Sequence, residues 1–115
     1  MNMATGRFEI KVDKAGEFRF NLLASNGQVI LSSEGYVRKA SCLKGIESVR
    51  RHSAEDRFFE RTIAANGKYH FNLKAANGEI IGTSQLYADA SNMENGIVSV
   101  RFHAPEAVVI EDRST

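Results

Sequence analysis

Apolar residues fall at every second position from Phe18 to Leu22, where Phe18, Phe20 and Leu22 alternate with Arg19 and Asn21, the period of a strand with one buried face. Tyr69, Phe71 and Leu73 repeat the pattern against His70 and Asn72. Each run leads to an Asn-Gly pair, Asn26-Gly27 and Asn77-Gly78. That dipeptide tolerates positive φ at both corners of a type I′ turn and predicts a two-residue hairpin loop. Such a loop sets a register in which Ala24 faces Val29, Leu22 faces Leu31 and Phe20 faces Ser33. The segments FEIKVD and FERTIA, ahead of the two hairpins, supply a first strand to each unit. From Lys39 to His52 the period becomes helical: Cys42, Ile46 and Val49 are spaced i, i+4, i+7, and Met93, Ile97 and Val100 sit at the matching places. Asp89 stands where an N-cap belongs before the second helix, whereas Arg38 holds that place before the first, whose cap is either missing or shifted to Ser41. FFER and VVIED follow the helices as short strand candidates, with Pro105 marking the end of the second helix.

The two patterns are one unit written twice. A shift of 51 positions aligns residues 16–50 with 67–101 without a gap, and 15 of those 35 positions are identical. Phe8, Glu9 and His52 extend the match to Phe59, Glu60 and His103. Gly45 and Gly96 recur inside the helices, where glycine costs roughly 1 kcal/mol relative to alanine, which predicts close approach of each helix to a neighbour. One such unit exposes a hydrophobic sheet face and a helix stripe and is too small for a robust core. Two units paired about a pseudo-twofold axis bury both. The expectation is therefore one domain over residues 1–115, made of repeats at about 7–57 and 58–112, and no proline-rich, glycine-rich or charged linker divides them. The chain would contain its own dimer and act as a monomer.

The stretches GEFRFNLLASNGQVILSSEGY with GIESVRRHS, and GKYHFNLKAANGEIIGTSQLY with NGIVSVRFHAPEA, resemble the YegP-like family of small bacterial proteins of unknown function in its tandem-repeat form. The likeness covers nearly the whole chain and lies in the order of aromatic strand, Asn-Gly, Ser-Glu or Ser-Gln before Tyr, then Gly-Ile-x-Ser-Val-Arg. It implies an α+β fold of two units, each with three strands, a helix and a further strand. They form a single antiparallel sheet with two helices on one face, the strands after the helices being exchanged between repeats. It implies no reaction, substrate or catalytic residue.

Composition narrows the function by exclusion. A net charge of +1 and a charged fraction of 25% give no global reason to seek nucleic acid or an anionic membrane. A single cysteine, Cys42, excludes an intramolecular disulfide and suits a reducing, cytoplasmic setting; no secretory leader or membrane span is read in the sequence. Cys42 is matched by Met93 on an apolar helix face, the behaviour of a small buried hydrophobe. His52 and His103 are equivalent helix-end residues, where a cation favours the macrodipole. Neither HxxxH nor HExxH spacing occurs, nor a calcium-type acidic loop, GxGxxG or GxxxxGK[ST], so no metal, cofactor or catalytic set is assigned.

Recognition is left. Arg19, Asn21, Ser32, His70, Asn72 and Thr83 fall on the sheet face opposite the aromatics and form a possible binding surface for a protein or small ligand. Tyr36 and Tyr87 are loop-packing residues or ligand contacts. Residues 1–57 hold ten Lys or Arg against seven Asp or Glu, and residues 58–115 five against seven. The first helix carries the excess in Arg38, Lys39, Lys44, Arg50 and Arg51, a possible basic patch for nucleic acid, although without interleaved aromatics. A non-enzymatic binding module leads; nucleic-acid association through the first helix, and an enzyme using His52, His103 or a Tyr-Ser pair, are the alternatives.

Overall fold

A computed structural model describes residues 5–111. The elements run β1 (Arg7–Val12), β2 (Phe18–Leu23), β3 (Val29–Ser32), α1 (Lys39–His52), β4 (Phe59–Ile63), β5 (Tyr69–Lys74), β6 (Ile80–Thr83), α2 (Ala90–His103) and β7 (Val108–Glu111). Asp112, the last residue of the second repeat and of VVIED, and the first four residues lie outside the described part. One seven-stranded sheet has the order β4-β5-β6-β3-β2-β1-β7. Phe8, Phe20, Leu22, Phe71 and Leu73 from the sheet and Ile46, Val49, Ile97 and Val100 from the helices form one buried core. No helix among the described residues is long and apolar enough to cross a membrane.

The sheet is mixed, which corrects the expectation of an antiparallel one. β7 pairs with β1 in parallel, Phe8 opposite Val109 and Ile10 opposite Glu111. The direction follows from where α2 ends: Val108 N–H donates to Gly6 O at 3.4 Å, so β7 sets out beside the start of β1. After α1 the chain passes a 3-10 turn, Asp56–Phe58, and enters β4, which pairs with β5 of the second repeat, as β7 after α2 pairs with β1 of the first; FFER and FERTIA are this one strand.

The hairpin loops differ from the expected two-residue form. Ala24 N–H donates to Gln28 O and Gly27 N–H to Ala24 O, both at 2.9 Å, and Gly27 takes φ 87° while no non-glycine residue among those described has positive φ. This is a three-residue loop, a type I turn closed by a glycine bulge. It asks the left-handed region of glycine only and leaves Asn26 to accept from Gln28 N–H at 3.0 Å. Leu22 pairs with Leu31 as expected, but the register shifts after Leu22, so Leu23 and not Ala24 faces Val29. Ala75–Glu79 repeats the loop, with Gly78 at φ 90°.

The two three-stranded units meet back to back at β3 and β6, which pair at one position, Ser32 with Thr83. Beside it the copies differ: Leu31 is fully buried, and its counterpart 51 residues on is Gly82, where an added Cβ would lie 2.6 Å from Leu31 Cγ. The leucine of one copy fills the space left by the glycine of the other.

The repeated Ser-x-x-Tyr and helical glycine form one packing device. Ser33 Oγ accepts from Phe20 N–H at 2.9 Å and donates to Glu34 O at 2.8 Å; Ser84 does the same with Phe71 N–H and Gln85 O at 3.0 and 2.7 Å. Tyr36 stacks on Phe20 and Tyr87 on Phe71, each at 6.4 Å between centroids. Each tyrosine also lies under a helix: a Cβ on Gly45 would come 2.9 Å from Tyr36 Cζ, and one on Gly96 2.7 Å from Tyr87 Cζ. Ser84→Ala strands a buried N–H and is expected to lower stability by about 1–3 kcal/mol. Urea unfolding checks it, with a lower midpoint and an unchanged slope as the result.

Candidate functional site

The open sheet face carries a row of polar side chains that runs across six strands: Glu9, Asn21, Ser32, Thr83, Asn72 and Glu60 stand opposite one another in register. Most of these groups are spent on each other. Ser32 Oγ donates to Asn21 Oδ1 at 2.8 Å, Thr83 Oγ1 to Asn72 Oδ1 at 2.9 Å, and Asn72 Nδ2 to Glu60 Oε1 at 3.1 Å. Arg19 is held by Asp13 at 2.6 Å. The Asp13 carboxyl is kept below its usual range by that guanidinium first and by the Glu17 N–H next. His70 shares the face, its Nδ1 enclosed and without a hydrogen bond among the described residues. The six sequence-derived residues thus lie on one face, where Asn21 is paired with Ser32 and Asn72 with Thr83.

The basic residues of α1 do not form one free patch. Lys39 pairs with Glu111 in β7. Arg50 pairs with Glu47, lies 5.2 Å over the Phe8 ring, and donates to Ala104 O and Pro105 O at 3.3 and 3.1 Å. Its counterpart Arg101 donates to Ala54 O at 3.1 Å, so each helix closes the exposed carbonyls that follow the other. Arg38, an N-cap residue without a side-chain cap bond, Lys44 and Arg51 remain exposed. By contrast Asp89 accepts from Asn92 N–H at 2.8 Å and caps α2.

The histidines also act between repeats. His52 Nδ1 meets Ser48 O at 2.9 Å and its Nε2 accepts from Ala76 N–H at 3.1 Å; His103 Nδ1 meets Ser99 O at 2.8 Å and its Nε2 accepts from Ser25 N–H at 3.2 Å. Each ring is thereby committed, at the end of its helix, to the hairpin loop of the other half. Cys42 is fully buried, and burial pushes its thiol up, away from the reactive thiolate.

A cleft of about 340 Å³ lies where the β2–β3 loop of the first repeat meets α2 and the loop after β6 of the second. Asn26, Gln28, Gln85, Asn92 and Asn95 bring five carboxamides to it, beside Tyr87, and none of its lining residues is charged. Asn26 and Asn92 spend part of their amides locally, on Gln28 N–H and on Asp89. Those of Gln28, Gln85 and Asn95 make no hydrogen bond among the described residues, nor does the Tyr87 hydroxyl. Gln28 and Gln85 also line a groove of about 350 Å³ on the open sheet face, floored by Ser32 and Thr83.

At the aligned positions the copies part. Fifty-one residues away from Gln28, Gln85 and Asn95 stand Glu79, Glu34 and Lys44. Burial first, then the neighbouring Cys42 thiol and the Glu34 and Glu79 carboxylates, raise the Tyr36 phenol and keep it protonated. The positions that carry charge at Glu79, Glu34 and Lys44 are neutral in the cleft. Sequence reasoning passed over the cleft because it weighed residues shared by both copies and the excess of basic charge in one, whereas the signal lies in amides aligned with charged residues.

Comparison with known proteins finds the domain of unknown function DUF1508 twice, at residues 13–60 and 64–111. The UPF0339 protein of the ptx operon 5′ region of Stutzerimonas stutzeri is 52% identical over 107 residues, covering 93% of this chain and 96% of that protein. The solution NMR structure of YegP from E. coli, a protein of unknown function, matches with a TM-score of 0.93 at 43% identity, over 100% of this chain and 99% of that one. A UPF0339 protein from Shewanella oneidensis matches with a TM-score of 0.88 at 40% identity, over 95% and 92%.

Proposed function

The chain belongs to the DUF1508 family, with that domain in two copies, and from this premise we propose that it is a non-enzymatic recognition module that binds a small uncharged polar ligand in the inter-repeat amide cleft. The observation that carries the reading is the convergence of five carboxamides, three of them without a hydrogen-bond partner among the described residues, at Gln28, Gln85 and Asn95, whose counterparts 51 residues away are Glu79, Glu34 and Lys44. A carboxamide both donates and accepts, so a group of them suits hydroxyl-rich or amide-bearing molecules and gives no preference to an ion. The volume is at the small end for ligand pockets and fits a molecule of monosaccharide size. The module works in the cytoplasm as a monomer.

The test is a titration of isotope-labelled protein with a pool of neutral sugars and amides, read on the side-chain NH2 resonances. Gln28, Gln85 and Asn95 are expected to shift together. Gln85→Glu, which copies the residue at Glu34, is expected to abolish the shifts while leaving the fold intact. If these resonances stay still, the reading fails; movement confined to Asn21 and Asn72 would return the site to the sheet face. Salt-sensitive shifts on Arg38, Lys44 and Arg51 with an RNA oligonucleotide would favour nucleic acid instead.

A further inference from the structure

The pseudo-twofold relates β1 to β4, yet the two strands end the sheet differently. Outside β1 lies β7; outside β4, among the described residues, lies nothing. We propose that the outer edge of β4 takes an extended, β-branched apolar segment of a partner protein, running parallel to it as β7 runs beside β1. The proposal is independent of the amide cleft.

The edge has the backbone for it. Phe71, opposite Arg61, turns its N–H to Ser84 Oγ and its C=O to Ser84 N–H at 3.0 and 2.9 Å, both toward β6. Arg61 must then turn its own N–H and C=O outward, and with the alternation of the strand so must Ile63, whereas Phe59 N–H is held by Asp56 O in the 3-10 turn and its C=O faces the Arg61 guanidinium at 3.5 Å. Phe8 and Ile10, the counterparts of Phe59 and Arg61, present theirs to β7 in the same way.

Charged side chains ordinarily blunt an edge strand. Here they are tied down on either face. Glu60 holds Lys74 at 2.9 Å on the open side, and Arg61 holds Glu94 and Asp56 at 2.6 and 2.8 Å on the helix side. Ile63 is 63% exposed, and β4 contains neither lysine nor proline.

The internal strand supplies the chemistry of the partner. Carried across by 51 residues, the register of Val108, Val109 and Ile110 falls on Phe58, Phe59 and Glu60, and the position of Glu111 falls beside Arg61. Because Arg61 already has two carboxylates, a small uncharged residue fits there better than a third acid. A second copy is a poorer occupant, since self-pairing of β4 centred on Arg61 sets two guanidinium groups side by side, and like charges directly opposite are destabilising.

The probe is a capped peptide with the sequence of residues 105–111 carrying Glu111→Thr, added to the full chain labelled for NMR. The Arg61 amide, which faces the end of the peptide, is expected to shift and to exchange more slowly. The same peptide with its isoleucine nitrogen methylated, which removes a ladder donor and leaves the protein untouched, is expected to lose the effect. The proposal is overturned by still amides along β4, by an undiminished effect of the methylated peptide, or by shifts at Phe8 and Ile10 that report displacement of β7. It is also overturned if sedimentation gives twice the chain mass with the β4 amides protected before any peptide is added, because a second copy then fills the edge.

Discussion

Gly82→Leu lowers the stability of this chain by about 3 kcal/mol, at the upper end of what overpacking a core usually costs. The new side chain would enter volume that Leu31 already fills, since even a Cβ there stands 2.6 Å from Leu31 Cγ, and Leu31 has no exposed surface into which to retreat. Leu31→Gly is damaging for the opposite reason, leaving a cavity beneath Gly82. Exchanging the two residues puts one leucine back over one glycine, across the same axis. The exchanged double variant is therefore expected to recover about 1–3 kcal/mol relative to the sum of the single changes, as contacting residues do in double-mutant cycles. Urea unfolding of the four proteins measures this coupling. Simple additivity would show that the axis does not depend on one large and one small partner.

Phe20→Ala and Phe71→Ala each remove a ring with no exposed surface, at an expected cost of about 3–5 kcal/mol. For a domain whose whole stability is on the order of 5–15 kcal/mol, either change brings unfolding close. The rings have matching surroundings: Phe20 meets Phe8 edge-on at 5.7 Å and Phe71 meets Phe59 edge-on at 5.6 Å. They differ one strand further out, where β7 braces β1 and β4 is left as an edge. A braced wall relaxes less into a cavity, so Phe20→Ala is expected to be the costlier of the two. Chemical unfolding of both variants decides it; the reverse order would mean that β7 adds no rigidity to its side of the core.

The strands, the helices and their buried faces were legible because each rests on a period in the chain. So was the close approach at Gly45 and Gly96, from a helix cost kept in both copies. Loop geometry was harder, since Asn-Gly suits a two-residue turn and also a three-residue turn with a glycine bulge. Gly16 and Gly67 carried the missing hint. They close the same kind of loop after Ala15 and Asn66, so the common demand is one glycine with positive φ and not an asparagine before it. Strand direction left no trace in the pattern of VVIED, because alternation is the same whichever way a strand runs. The sheet-face residues follow from strand alternation, but which polar groups pair with each other depends on cross-strand register. The amide cleft draws on both halves and on differences between them, which a search for shared residues passes over.

His103 accepts a backbone N–H from the loop at Ser25, and His52 accepts one from the loop at Ala76. The consequence reaches back to the ribosome. The first hairpin emerges early, but the ring that secures its tip follows 78 residues later, and the first helix waits in the same way for a loop 24 residues further on. Neither half can finish alone as it leaves the exit tunnel. Two units in one chain therefore carry a built-in delay, during which the first hairpin loop lacks its histidine partner until the second helix has been made.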